Sequence, residues 1–118
     1  MSTRSNIAVQ NTDGSVVEVY CHFDGYLSNN GDILQRHYAT FDKALALVNA
    51  GPYSSLGDEP ALCKKSASGR IQTYKSVKAF LADGNHQEYT YLFINNEWVV
   101  IKGTVAAPLS FALSWGTV

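Results

Sequence analysis

The chain has 118 residues, of which 46% are hydrophobic and 16% charged, with a formal net charge of −1. A chain of this length fits one domain that can bury about two-thirds of its unfolded surface, so no disulfide or metal staple is required. A near-neutral charge excludes the strong field expected of a partner for long nucleic acid, and no run of about 18 apolar residues exists to span a membrane.

The charged fraction lies below the quarter usual for soluble domains, which points to a surface partly covered in a homo-oligomer. Cys21 and Cys63 belong to no Cys-x-x-Cys pair, and no secretory leader is read ahead of them. A reduced, cytoplasmic setting is therefore expected, with a Cys21–Cys63 disulfide as the alternative. Charge is unevenly spread. Residues 13–59 hold seven acids, whereas Pro60 to Ala82 holds none and carries five of the nine basic residues: Lys64, Lys65, Arg70, Lys75 and Lys78. That window is either a solvated basic loop or a patch that attracts phosphate.

In chain order, strands are predicted at Arg4–Gln10 and Ser15–His22, joined by Thr12-Asp13-Gly14. A three-residue hairpin loop with glycine in its left-handed position puts Val9 opposite Val17, Ile7 opposite Val19 and Ser5 opposite Cys21, which gathers one apolar face. Ala8 then meets Glu18, Asn6 meets Tyr20 and Arg4 meets His22 on the other face. Asp24-Gly25 reads as a turn. A helix is predicted at Asp32–Ala39, and a second is capped by Thr40 and stopped by Gly51-Pro52. Pro52–Gly57 and Ser66–Gly69 read as loop, with a short strand at Arg70–Tyr74. A third helix at Val77–Ala82 is capped by Ser76.

Glu88–Ile94 and Glu97–Lys102 flank Asn95-Asn96, a pair suited to a type I′ turn that sets Phe93 against Trp98 and Tyr91 against Val100. Both faces of this hairpin are largely apolar, as in central strands. The last sixteen residues carry no charge, and Leu109, Phe111, Leu113 and Trp115 alternate with smaller residues, the period of a strand. Such a strand would need covering, by its own domain or by another subunit. The expected fold is a single α+β domain over residues 1–118: a mainly antiparallel sheet of about five strands with two or three helices packed on one face.

No catalytic constellation is read from the chain. His22, His37 and His86 lie in separate elements with no ligand-spaced pair, so no metal and no cofactor is expected. Phosphate-loop, dinucleotide and nucleophile-elbow motifs are absent. The expected ligand-binding residues are Arg4, His22, Phe23, Asp24, Tyr26, Arg36, Arg70 and Asn96. A guanidinium can grip a phosphate bidentately while an aromatic ring stacks on a base. The alternative reading of the first group is an ordinary Arg4–Asp24 ion pair beside a hydrogen-bonded surface histidine.

The segment Met1-Ser2-Thr3-Arg4-Ser5-Asn6-Ile7-Ala8, then Tyr20-Cys21-His22-Phe23-Asp24-Gly25-Tyr26, a helix beginning near Asp32 and Ser54-Ser55-Leu56-Gly57 resemble a group of small phage proteins, the type-one Thoeris anti-defence proteins. Tyr91-Leu92-Phe93 to Trp98 also fits, while the middle and the C-terminus match nothing. The resemblance implies a homo-oligomeric phage protein, acting in the infected host cell, that sequesters a cyclic ADP-ribose isomer without cleaving it and also binds cyclic oligonucleotides. The family's binding residues do not align position by position onto this chain, and no basic residue follows Lys102. A protein-binding inhibitor of a host enzyme is the alternative function.

Overall fold

The computed structural model describes residues 3–67, 69–84 and 86–116. Met1 and Ser2 of the N-terminal motif, Ser68 of the predicted 66–69 loop, and Thr117 and Val118 of the uncharged segment lie outside them. The elements are β1 (Ser5–Gln10), β2 (Val16–Cys21), a π-helical turn at Leu27–Gly31, α1 (Asp32–His37), α2 (Phe41–Ala50) and β3 (Tyr53–Ser55). A 3₁₀ turn at Pro60–Leu62 leads to β4 (Lys64–Lys65), β5 (Gln72–Tyr74) and α3 (Val77–Asp83). Then come β6 (Tyr89–Ile94), β7 (Glu97–Lys102), β8 (Val105–Pro108) and α4 (Leu109–Trp115).

Both hairpins have the expected register. Ile7 faces Val19 and Val9 faces Val17, while Asn6 faces Tyr20 on the other side. Gly14 takes the left-handed position at φ 91°, and the Asp13 carboxylate accepts hydrogen bonds from the Ser15 amide and hydroxyl, which closes the loop. In the second hairpin Asn95 and Asn96 adopt φ 53° and 65°, as a type I′ turn requires, and Phe93 faces Trp98. The helix caps also hold: Thr40 accepts from the Lys43 amide and Ser76 from the Ala79 amide.

The expected sheet and helix arrangement does not hold. Among the described residues one mixed sheet of eight strands runs β4-β3-β2-β1-β6-β7-β8, and β5 also pairs with β2. β1 lies parallel to β6, joining the two hairpins side by side, and β2 lies parallel to β3. Parallel neighbours need long crossover connections, and here these are built from the helices and short strands between Asp32 and Asp83. β3 and β5 each take a different stretch of the same β2 edge, Cys21 and Val16–Glu18 respectively.

There are four α-helices among the described residues, and they do not share one face. The main core joins Leu34, Tyr38, Ala44, Leu47, Val48, Leu109 and Ala112, from α1 and its C-terminal cap, α2 and α4, to Ile7, Val19, Tyr91, Phe93 and Trp98 of the sheet. A smaller cluster on the other face sets Phe80 of α3 against Ala8, Val16 and Leu92.

The C-terminal segment is the second correction. Val105–Pro108 forms the edge strand, and Leu109–Trp115 is a helix, not a strand. Leu109 and Ala112 point into the core, while Phe111 and Trp115 stand out from it, 57% and 70% exposed. A spacing of three and four, not two, governs the segment. Pro108 precedes this helix and Gly116 ends it at φ 72°, a start and stop that favour helix over strand.

The large buried aromatics end on backbone carbonyls. Trp98 Nε1 donates to Tyr38 (2.8 Å), the Tyr38 hydroxyl to Gly57 (2.8 Å), that of Tyr53 to Leu47 (2.5 Å) and that of Tyr91 to Gly25 (2.6 Å). Each ring is thereby both packed and satisfied. Cys21 and Cys63 are separate buried thiols, and burial pushes the Cys21 thiol up to about 11, so it stays protonated and unreactive at neutral pH. Among the described residues no helix is long and apolar enough to cross a membrane.

Candidate functional site

α3 covers only part of its face of the sheet. Beside it lies a groove of about 260 Å³ lined by Arg4, Asn6, Glu18, Tyr20, Arg70 and Gln72, together with Gly69 and Gln87. Its floor is a buried polar arrangement on the β1–β2 pair. The Asn6 side-chain amide donates to the Glu18 carboxylate. The Asn6 carbonyl accepts from the Gln87 backbone N–H at 2.6 Å, so the amide has one orientation. The Tyr74 hydroxyl donates to the other Glu18 oxygen at 3.3 Å. Burial raises the Glu18 carboxyl above its ordinary 4.5, opposed by the hydrogen bonds from Asn6 and Tyr74.

Arg4 and Arg70 stand exposed on the rim. Neither makes an ion pair among the described residues, so the Arg4–Asp24 pair is not formed. The arginines come from the residue before β1 and the loop before β5, and the β2–β5 pairing brings the second one in. The rest of the basic window is spread elsewhere. Lys65 donates to the Ala50 carbonyl at the end of α2 and lies 5.5 Å from the centre of the Tyr53 ring, a helix-capping role.

His22 and Phe23 do not line the groove; Tyr20, which does, links them to it. The Tyr20 hydroxyl and His22 Nδ1 are 2.7 Å apart, and the His22 ring meets the Phe23 ring edge-on at 4.4 Å. Asp24 adopts φ 60°, and its carbonyl accepts from Asn29 Nδ2 and the Asn30 amide. It is Asp24, not Gly25, that takes the left-handed conformation. Gly25 is needed for close approach: a Cβ there would lie 2.8 Å from Ser5 Cβ and 2.9 Å from the Thr3 carbonyl.

The other expected residues lie apart. Tyr26 lines a separate cleft with Leu27, Tyr89, Lys102 and Leu113. Arg36 is paired with Asp32 at 2.9 Å and borders a cleft of about 510 Å³ in which Asp42, Asp58 and Glu59 outnumber Arg36 and Lys43, a balance that disfavours an anion. Asn96 sits at the tip of the β6–β7 turn. Among the described residues no three His, Cys, Asp or Glu side chains cluster as metal ligands.

No family model, no curated protein and no solved structure matches this chain.

The groove residues that sequence reasoning missed are Asn6, Glu18, Tyr20, Gln72 and Gln87. A signal existed for Glu18, a lone carboxylate in Val16-Val17-Glu18-Val19, facing Ala8 across the hairpin. A charge in a valine-rich strand must be paired or reach water. Gln72 and Gln87 carried no such mark.

Proposed function

We propose that the chain captures a small phosphate-bearing nucleotide in the Arg4–Arg70 groove and holds it without cleaving it. The observation that carries this reading is the convergence of two guanidiniums, free of ion pairing among the described residues, on one groove beside Tyr20, His22 and Phe23. Guanidiniums match phosphate oxygens bidentately, and the adjacent rings offer flat faces to the rest of a nucleotide. The resemblance of the N-terminal segment to the type-one Thoeris anti-defence proteins makes a cyclic ADP-ribose isomer, and after it cyclic oligonucleotides, the ligands to try. Sequestering such a signal would disarm a host defence.

The protein is to be mixed with a cyclic ADP-ribose isomer, the free ligand measured, and the protein then heat-denatured. Intact ligand returned on heating is the expected result. Altered ligand would identify an enzyme, and undiminished free ligand would end the reading. A charged hydrogen bond to phosphate contributes about 1.5–3 kcal/mol, so Arg4→Ala and Arg70→Ala should each weaken binding by about ten- to a hundredfold in calorimetry.

A second reading, a surface for protein contact, rests on Phe111 and Trp115. Their rings lie 6.0 Å apart on the outer side of α4, next to the uncharged edge strand β8. A second copy of the chain is the expected partner, which light scattering would test: Trp115→Glu should then lower the mass measured for the parent.

A further inference from the structure

A second cavity, of about 480 Å³, opens on the same face of the sheet as the groove. It is walled by Leu81 and His86 and floored by Thr90, Ile101 and Ala106. Strand register links the two. Tyr20 pairs with Asn6, Asn6 with Thr90, Thr90 with Ile101, and Ile101 with Ala106. Residues directly opposite one another share a face, so these five form one straight row across β2, β1, β6, β7 and β8. The row begins under the groove and ends under the second cavity.

Chemistry changes along the row from a phenol and an amide to a hydroxyl, a branched alkyl group and a methyl group. Gln87 lines both cavities, and its amide N–H bonded to Asn6 marks the divide. His86 is held as a wall: Nε2 donates to the Phe80 carbonyl at 3.0 Å and Nδ1 lies 3.2 Å from the Thr90 hydroxyl. The groove alone is smaller than the ~300–1,000 Å³ of ordinary ligand sites, and the two cavities together fall within that range.

We infer that the two cavities are halves of one ligand site, an inference that rests on the nucleotide reading above. The phosphate lies against Arg4 and Arg70, the ligand passes over Gln87, and the nucleobase lies on Ile101 and Ala106 with its polar edge toward Thr104. Two strand spacings, about 10 Å, separate β1, which Arg4 precedes, from Ile101 on β7, and a third reaches Ala106 on β8, a span of about 10–15 Å on the scale of a nucleotide. A nucleotide joins the required parts: an anionic group, and a flat ring system with an apolar face and a polar rim.

The test compares two probes by calorimetry, the same cyclic ADP-ribose isomer and inorganic pyrophosphate. Ala106→Trp fills the second cavity from an exposed position. Leu81→Glu, on the exposed side of α3, places a charge in its wall and serves if the first variant folds poorly. Each should lower nucleotide affinity about tenfold or more and leave pyrophosphate affinity within about twofold, whereas Arg4→Ala lowers both. Should Arg4→Ala weaken the nucleotide while folded Ala106→Trp and Leu81→Glu bind it like the parent, the second cavity is no part of the site and the nucleotide reading stands. A parent that binds pyrophosphate but not the nucleotide, or neither probe, overturns both.

Discussion

On one face of the sheet, three helices close over Trp98, Tyr91, Phe93 and Tyr38, and each buried aromatic donor ends on a backbone carbonyl. On the other face α3 and Tyr74 of β5 cover Ala8, Val16 and Leu92, and the part beyond them is floored by Asn6, Glu18, Tyr20 and Thr90. The first face spends its side chains on stability. The second buries the Glu18 carboxyl group and leaves two arginines at its rim, the features that make it the candidate site.

The largest predicted effect belongs to the closed face. Trp98→Ala should cost about 3–5 kcal/mol, because it opens a cavity and frees the Tyr38 carbonyl; a denaturant midpoint near that of the parent would erase the contrast between the faces. Asn6→Leu, on the open face, should cost about 1–3 kcal/mol, since it strips a buried carboxylate and the Gln87 amide of a partner. The same melt that reads Trp98→Ala reads this one.

Glu18 supplies a smaller effect with a definite sign. Its folded pKa is raised above the ordinary 4.5, so the native state binds more protons than the unfolded chain between those two values. Stability contributed by this group therefore falls as pH rises through that window and is greatest below it. Glu18→Gln, with its carbonyl turned to the Asn6 amide and its own amide to Tyr74, should flatten that slope. A parent and variant with parallel stability–pH curves would refute the assignment. Anion binding at the arginines should tighten over the same descent in pH, as the neighbouring negative charge is neutralised. The smallest stability effect is that of Arg4→Ala, within about 0.5 kcal/mol because the side chain is exposed and makes no ion pair among the described residues; a larger loss would mean that Arg4 holds the fold and not a ligand.

Much of each hairpin was legible because its pattern is local. Val-Val-Glu-Val against Asn-Ile-Ala-Val admits one register that collects the apolar side chains, and Asn95-Asn96 and Gly14 satisfy the backbone of their turns. The caps Thr40 and Ser76 were legible for the same reason. Leu109 to Trp115 misled because a seven-residue segment with apolar groups two apart also has them three and four apart, and the decision fell to what Leu109 and Ala112 meet in the core. Of the expected site residues, the structure brings Arg4 and Arg70 to one groove, ties His22 and Phe23 to its end through Tyr20, and sets Tyr26, Arg36 and Asn96 elsewhere.

By itself, then, the sequence determined two hairpins with their registers and three helix positions, all of them properties of residues close along the chain whose hydrogen bonds and apolar spacing leave few alternatives. Only the tertiary structure decided the parallel alignment of β1 with β6, the sharing of the β2 edge between β3 and β5, and the meeting of Arg4 with Arg70. Those pairings join segments distant in sequence, and they are chosen by how the helices and sheet bury their apolar faces against one another, a condition that no single stretch of the chain expresses.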